Sequence, residues 1–297
     1  MAGIIECIPN FSEGRRQEVI EQILEEIRSV KGVKLLDRSS DPSHNRSVVT
    51  FIGGPEQVKE AAFRAARKAA LLIDMDLHRG EHPRMGATDV IPFIPVSGVS
   101  MQECIELARQ LGQRMGEELG IPVYLYEEAA TQAERKNLAN VRKGQYEGLK
   151  EAIRDSARRP DFGPQELPKA GATAVGARHP LIAYNINLAT ADVGIAKQIA
   201  KAIRGSSGGF ASVKALGVMI EERNVAQVTI NMCNYREVPL HRVFEVVKSE
   251  AARCGVNVTG SEIVGLTPQE ALLEAAKFYL RLEGFETRQV LENRIAE

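Results

Sequence analysis

The second half of the chain, from about residue 179, shows a regular succession of strand-like and helix-like patterns. Apolar and polar residues alternate in some segments, whereas in others apolar residues recur every three or four positions. The order is βαββαβ followed by one more helix. The predicted strands cover residues 181–189, 213–220, 225–232 and 256–264, and the helices cover 190–204, about 239–253 and a last segment that Thr267, as N-cap, and Pro268 open.

The first half repeats this order and adds a helix and a strand. Both halves therefore have the split βαβ arrangement of a ferredoxin-like sheet, and the fold class is α+β. Helices on one face of each sheet would leave the other face open, and two open faces packed together would enclose a ligand cleft. The predicted strands cover 4–9, 33–37, 47–52, 90–94 and 122–126, and the helices cover 14–30, 56–73 and 100–119.

Between the halves, residues 160–178 are rich in proline and glycine, which predicts a loop or a linker. We place a boundary there, with subdomains at residues 1–178 and 179–297.

The composition excludes several classes of function. A net charge of −1 argues against a nucleic acid as the main partner, although it leaves room for a locally basic cleft, and aromatic residues make up only 5% of the chain; we therefore expect no nucleic-acid partner. No apolar run is long enough to cross a bilayer, and no secretory signal is evident at the N-terminus. The four cysteines show no CxxC spacing. We expect a cytoplasmic protein with no membrane partner.

The most informative segment is residues 78–96, in which a polar, titratable loop runs into an apolar strand. His82 is the first candidate for catalysis, because an imidazole can accept and donate a proton near neutral pH. The plainer interpretation is a loop histidine bonded to backbone. His78 and His82 are four apart, but Gly80 and Pro83 disfavour the helix that would align them as metal ligands, so we predict no metal.

Cationic and polar residues nearby are candidates for binding an anionic substrate. Arg84 and Arg46, with Arg178 and Lys169, could grip carboxylates, although an isolated arginine is usually a surface ion-pair partner. Asp89 could orient His82 or bind an amino group, or could instead anchor the strand it begins. The weaker substrate-binding candidates are Arg84, Arg46, Asn45, Asp89 and Arg178.

These segments resemble glutamate formimidoyltransferase, the enzyme that forms the N-terminal part of animal formimidoyltransferase-cyclodeaminase. The resemblance runs nearly the full length of the chain. One departure is Glu127, at a position where a glycine is often found. The matching stretches are ECIPNFSEG (6–14), NRSVVTFIG (45–53), LIDM (72–75), HRGEHPRMGATDVIPFIPVSGVS (78–100), PVYLY (122–126), PDFGP (160–164), GATAVGAR (171–178) and LIAYNINL (181–188).

The resemblance implies two α/β subdomains whose sheets face each other across a folate-binding tunnel, in a homodimer. It implies transfer of a formimino group from N-formimino-L-glutamate to N5 of tetrahydrofolate, a co-substrate, without a metal. The catalytic histidine would be His82. The folate-binding segment would be Gly163, Pro164, Gln165, Glu166, Leu167, Pro168, Lys169, Ala170 and Gly171.

Three alternatives stay open at this point. Formyl transfer or hydrolysis acting on 5-formyltetrahydrofolate would use the same fold and a donor that differs by one atom. A non-catalytic folate-binding sensor would explain the fold but not the crowding of His82, Arg84 and Asp89. A metal hydrolase would use His78, His82 and Asp89.

Overall fold

The computed structural model describes residues 3–296, and the chain forms two compact units, Met1–Arg178 (unit 1) and His179–Glu297 (unit 2). Within residues 3–296, no helix is both long and apolar enough to span a membrane.

Unit 1 is built on one mixed sheet in which the strands lie in the order β3, β4, β1 with β2, β5, β7 and β6. The short strands β1 and β2 both lie between β4 and β5, as one interrupted strand. The first four strand positions and two helices reproduce the predicted βαββαβ order. The elements are β1 (Ile4–Cys7), β2 (Asn10–Phe11), α1 (Gln17–Arg28), β3 (Val33–Asp41), β4 (Arg46–Gly53), α2 (Pro55–Leu72), β5 (Thr88–Ser97), α3 (Met101–Glu118), β6 (Val123–Glu127), α4 (Leu138–Val141), α5 (Gln145–Ala152) and β7 (Thr173–Ala177).

Helices α1, α2 and α3 contribute to the main core of unit 1 on one face of this sheet. Their apolar positions recur at helical spacing, so that α1 buries Ile20, Ile23, Leu24 and Ile27 together. Helix α3 begins with a capping box, in which Ser100 and Glu103 satisfy each other's backbone amides. Such a cap typically contributes about 1 kcal/mol to helix stability.

Strand β7 corrects the predicted linker. Residues 173–177 are fully buried and pair in parallel with both β5 and β6. A central parallel strand is apolar on both faces, so it shows no alternation, and its small residues look like loop composition. The proline- and glycine-rich segment therefore lies inside unit 1.

The opposite face of unit 1 is partly covered, which corrects the prediction that helices lie on one face only. Val141, at the end of α4, and Leu149 and Ile153, in and after α5, form a separate apolar cluster with Tyr124 and Tyr126 of β6. Helices α4 and α5 thus pack over the β5–β7–β6 part of the sheet, next to the start of β5.

Unit 2 is an antiparallel sheet with strand order β11, β8, β10, β9, and the prediction of a ferredoxin-like arrangement is confirmed. The last helix begins after Pro268, which occupies the N-cap position predicted for Thr267. The facing of two sheets across a tunnel stays a prediction. The elements are β8 (Ile182–Leu188), α6 (Val193–Ile203), β9 (Val213–Ile220), β10 (Val225–Met232), α7 (Leu240–Arg253), β11 (Val258–Val264), α8 (Gln269–Leu280) and α9 (Leu291–Ala296).

Candidate active site

The titratable segment is a long connection, residues 73–87, between α2 and β5; we call it the histidine loop. Main-chain hydrogen bonds hold both of its ends, because the Met75 amide donates to the Lys169 carbonyl and the Ala87 amide to the Ala170 carbonyl, at 2.9 and 2.8 Å. The tip is held through Gly80, whose missing Cβ would lie 2.2 Å from the carbonyl oxygen of His44. The sequence therefore builds a loop with a fixed path.

A narrow cleft lies beside this loop; its empty space, about 180 Å³ including the part that opens to solvent, is too constricted to hold a water molecule as the side chains stand. It brings together the sequence-predicted residues Asn45, Arg46, His82, Arg84 and Asp89. The cleft is lined by Ser12, His44, Asn45, Arg46, His78, His82, Arg84 and Asp89.

His82 is partly buried in this cleft, and its Nδ1 atom is buried without a hydrogen-bond partner in the described part of the chain. Burial and the nearby positive charges of Arg46, Arg142 and His44 lower the pKa of His82 to about 3. The His44 ring lies edge-on to it, with 6.0 Å between ring centroids. The imidazole is therefore neutral at neutral pH; an interaction with the Pro83 backbone raises its pKa only slightly, and Nδ1 makes no hydrogen bond of ordinary geometry with residues 3–296.

Arg46 begins β4 and lines the cleft. Its guanidinium makes no hydrogen bond or ion pair with residues 3–296. Burial and the neighbouring charge of Arg142 lower the pKa of Arg46, while Asp89 and Asp41 act in the opposite direction. Arg46 is thus a half-buried cation without a protein counter-ion in contact.

The guanidinium of Arg84, by contrast, already has several protein partners. Its side chain is 7% exposed and forms a bidentate pair with Glu147, at 2.8 and 2.5 Å. It also donates to Gln145 at 2.9 Å and, through Nε, to Nδ1 of His78 at 3.2 Å. As it stands, Arg84 ties the histidine loop to α5, and a substrate carboxylate would have to displace Glu147.

His78 is held at both ring nitrogens. Its Nε2 lies 3.0 Å from the carbonyl oxygen of Asn45, and its Nδ1 accepts from Arg84, so it is a neutral tautomer that donates from Nε2. Burial lowers the pKa of His78. These bonds favour a structural role, because neither nitrogen is available to a metal in this arrangement.

Asp89 is 2% exposed and anchors the entry to β5. Its Oδ1 accepts from the Met85 amide at 2.8 Å, and its Oδ2 forms an ion pair with Arg142. Of the three roles considered from the sequence, anchoring the strand is therefore the one that the contacts support.

Both polar atoms of the Asn45 side chain are hydrogen-bonded and link neighbouring segments. Its Oδ1 accepts from the Gly14 amide at 2.9 Å, and its Nδ2 donates to the Arg79 carbonyl at 3.0 Å. Its backbone has a φ of 48°, in the left-handed region. It joins the start of β4 to the loop before α1 and to the histidine loop.

The segment 163–171 leads from the edge of β6 to the histidine loop. Its residues 163–166 are exposed, whereas Gly171 is buried and forms a bridge with Gly86, four positions after His82. At Gly171, φ is 74° and a Cβ would lie 2.2 Å from the Met85 carbonyl oxygen, so this close approach requires glycine. The structure therefore brings this segment's C-terminal end against the His82 loop.

Two predicted cations lie outside the cleft. The Arg178 amide donates to the Phe93 carbonyl at 3.1 Å, four positions along β5 from Asp89, which corresponds to roughly 13 Å of extended chain. The Lys169 side chain is 76% exposed and lies 3.3 Å from Asp74. Sequence reasoning grouped them with Arg84 and Arg46; neither lines the cleft, and their contact with a substrate carboxylate stays a prediction.

Arg142 is the cleft neighbour that sequence reasoning missed. It follows α4, in a stretch without a recognisable motif, and reaches Asp89 from 53 positions along the chain. Only the packing of α4 and α5 over the sheet places it near His82.

Comparisons with known proteins agree with this architecture. Residues 4–178 match the model of the formiminotransferase domain, N-terminal subdomain, and residues 183–295 match that of the formiminotransferase domain. The chain is 52% identical to a glutamate formimidoyltransferase of Streptococcus pyogenes serotype M1, over 99% of both chains. It is 51% identical to that of Thermoplasma acidophilum, over 98% of this chain and 97% of the relative.

A longer relative shows the same likeness. The chain is 49% identical to the formimidoyltransferase-cyclodeaminase of Sus scrofa, over 95% of this chain and 53% of that protein. Both units are matched by family models, and the relatives that are about 50% identical span nearly the whole chain. The chain belongs to the formiminotransferase family.

Proposed function

We propose that the cleft beside the histidine loop is the active site at which this transferase moves the formimino group of N-formimino-L-glutamate to N5 of tetrahydrofolate. The products are 5-formiminotetrahydrofolate and L-glutamate. Formimino transfer itself follows from the family and from relatives named glutamate formimidoyltransferase. The observation that supports the location is the neutral, partly buried imidazole of His82 beside unpaired positive charge.

His82 acts as the proton shuttle in this proposal. Tetrahydrofolate supplies the nucleophilic nitrogen, N5, which loses its proton as it bonds to the formimino carbon. The neutral imidazole accepts that proton and donates it to the glutamate nitrogen, whose bond to the same carbon breaks. One proton leaves one nitrogen and one proton reaches the other, so the transfer balances without a redox partner.

The surrounding residues position the substrates. Arg46 is the predicted cation whose guanidinium is open to a donor carboxylate, and such charge-assisted pairs are short and directional. Arg84, Asn45 and Asp89 keep the histidine loop and the start of β5 in place through the bonds described above. Their contribution is to preorganise His82 rather than to touch the donor.

Residues 163–171 are the proposed folate contact. Their exposed first half offers backbone donors and acceptors, and their second half is bonded to the histidine loop. A pterin edge bound there would lie next to the loop that carries His82. The exposed ammonium group of Lys169 would favour the anionic tail of folate electrostatically.

Replacing His82 by alanine tests the proposal. With both substrates saturating, we expect kcat to fall by about 10² to 10⁴, the usual contribution of a positioned acid–base group. His241, in α7 of unit 2, provides a matched control, and His241→Ala should keep kcat within about twofold. A His82→Ala enzyme that keeps the parent rate would remove His82 from the chemistry.

The homodimer that the resemblance implies and the cytoplasmic location expected from the sequence both stay predictions. Light scattering of the purified protein measures the oligomeric state directly.

A further inference from the structure

Two guanidinium groups, those of Arg46 and Arg142, act on the charge of the His82 imidazole, and within residues 3–296 a carboxylate contacts only the second of them. Arg46 and Arg142 each lower the pKa of His82, and Arg142 also lowers that of Arg46. Asp89 pairs with Arg142. The cleft therefore carries more positive charge than the protein neutralises.

The other charged groups near the imidazole are already matched. Glu147 neutralises Arg84, and Asp41 accepts from the backbone and ring of His44, at 2.9 and 2.8 Å. His78 is neutral and bonded at both nitrogens. Among the cations that lower the pKa of His82, Arg46 and Arg142 are the ones whose partners within residues 3–296 are incomplete.

Arg142 also has an unused donor. Its side chain is 16% exposed, one terminal nitrogen contacts Asp89, and its buried Nε makes no hydrogen bond within residues 3–296. An unmade hydrogen bond from a buried charged group is costly. A planar guanidinium fixed on one side by a buried aspartate is well placed to bind a second carboxylate.

We propose that Arg142 binds one carboxylate of the donor's glutamate moiety together with Arg46, and that Asp89 is the positioning residue that holds Arg142 in place. This inference rests on the proposed function, in that the anion is the formimino donor. The two arginines approach from different elements, β4 and the end of α4, so a carboxylate between them would join the helical cover to the sheet.

The pair also explains how a weakly basic imidazole serves as a base. A carboxylate bound at Arg46 and Arg142 offsets the positive potential that disfavours a proton on His82. Donor binding would thus prepare His82 to accept the proton from N5, and the free enzyme would keep it neutral.

Steady-state kinetics of Arg142→Gln and Arg142→Lys test this role. With tetrahydrofolate saturating, we expect the donor KM of Arg142→Gln to rise by about tenfold or more, as for loss of one charge-assisted hydrogen bond. The KM for tetrahydrofolate should stay within about twofold. Arg142→Lys keeps a charge for Asp89 but lacks Nε, and its donor KM should rise by about threefold or more.

Arg154→Gln is the charge-matched control, because Arg154 follows α5 and is exposed. Its donor KM should equal that of the parent. A purely structural role for Arg142 would lower the folded fraction and the apparent kcat while leaving the donor KM unchanged, and that result would overturn the proposal. Should Arg142→Gln fail to fold, Arg142→Lys decides by the same criterion. A fully active His82→Ala enzyme would refute the proposed shuttle while leaving the KM comparison for Arg142 interpretable.

Discussion

The two units share the βαββαβ order but differ where the second helix returns to the sheet. In unit 1 this connection is the histidine loop, residues 73–87, whereas in unit 2 residues 254–257 suffice between α7 and β11. The helices and strands around both connections are alike. The comparison teaches that the fold needs only a short link at this position, and that the extra length in unit 1 serves the site.

A second difference lies in the hairpin of each unit. Both hairpins end their turn on an asparagine in the left-handed region, Asn45 with φ 48° and Asn224 with φ 50°. Asn45 is 8% exposed and bonds two other segments, whereas Asn224 is exposed. The same turn residue thus meets a backbone requirement in both units and becomes a structural link only beside the histidine loop.

The largest effect that would test this comparison comes from Gly171→Ala. A methyl group there meets the Met85 carbonyl and requires a positive φ, so we expect a loss of about 2–4 kcal/mol in the free energy of unfolding. Gly260 of β11 has open space around its Cβ position, and Gly260→Ala should change stability by at most about 1 kcal/mol. Urea unfolding measures both, and equal effects would show that the loop is not packed as described.

A smaller contrast is expected between Asn45→Gly and Asn224→Gly. Glycine adopts the left-handed conformation at both positions, so the substitutions compare only the side-chain bonds. Asn45→Gly removes two of them and should lower the free energy of unfolding by about 1–3 kcal/mol. Asn224→Gly should stay within about 0.5 kcal/mol. Similar losses at the two sites would contradict the linking role of Asn45.

The smallest effect concerns pH. Because the folded-state pKa of His82 is about 3, below the 6.5 of a free imidazole, its contribution to stability is complete above pH 6.5 and is lost as pH falls toward 3. At pH 5.5 the loss amounts to at most about 1.4 kcal/mol. His82→Gln removes this component, so the pH dependence of unfolding should be flatter than in the parent between pH 6.5 and 5. Parallel pH curves for the two proteins would show that His82 titrates normally in the folded state.

The spacing of apolar residues predicted most of the fold, because strands and helices in the ferredoxin-like parts have clearly different periods. It failed at β7, where a short strand of small residues buried on both faces has no period to detect. The glycine commonly found at the position of Glu127 is also explained, since φ is 51° there.

The site was less predictable than the fold. Local sequence singled out the histidine loop, because its residue types are unusual together. It could not show that Arg84 is held by Glu147, 63 positions away, or that α4 brings Arg142 to Asp89. Such pairs depend on how the elements pack, and no spacing within one segment reports them.

The main-chain bonds at Met75 and Ala87 have a consequence for how this fold can change over time. Neither bond depends on the identity of a side chain, so positions between them other than close-packed ones such as Gly80 can vary in sequence while β5 keeps its register. Substitutions at such positions can change the side chains of the site while the sheet that supports the loop stays the same. In unit 1, a change of catalytic chemistry would therefore need changes mainly in the histidine loop.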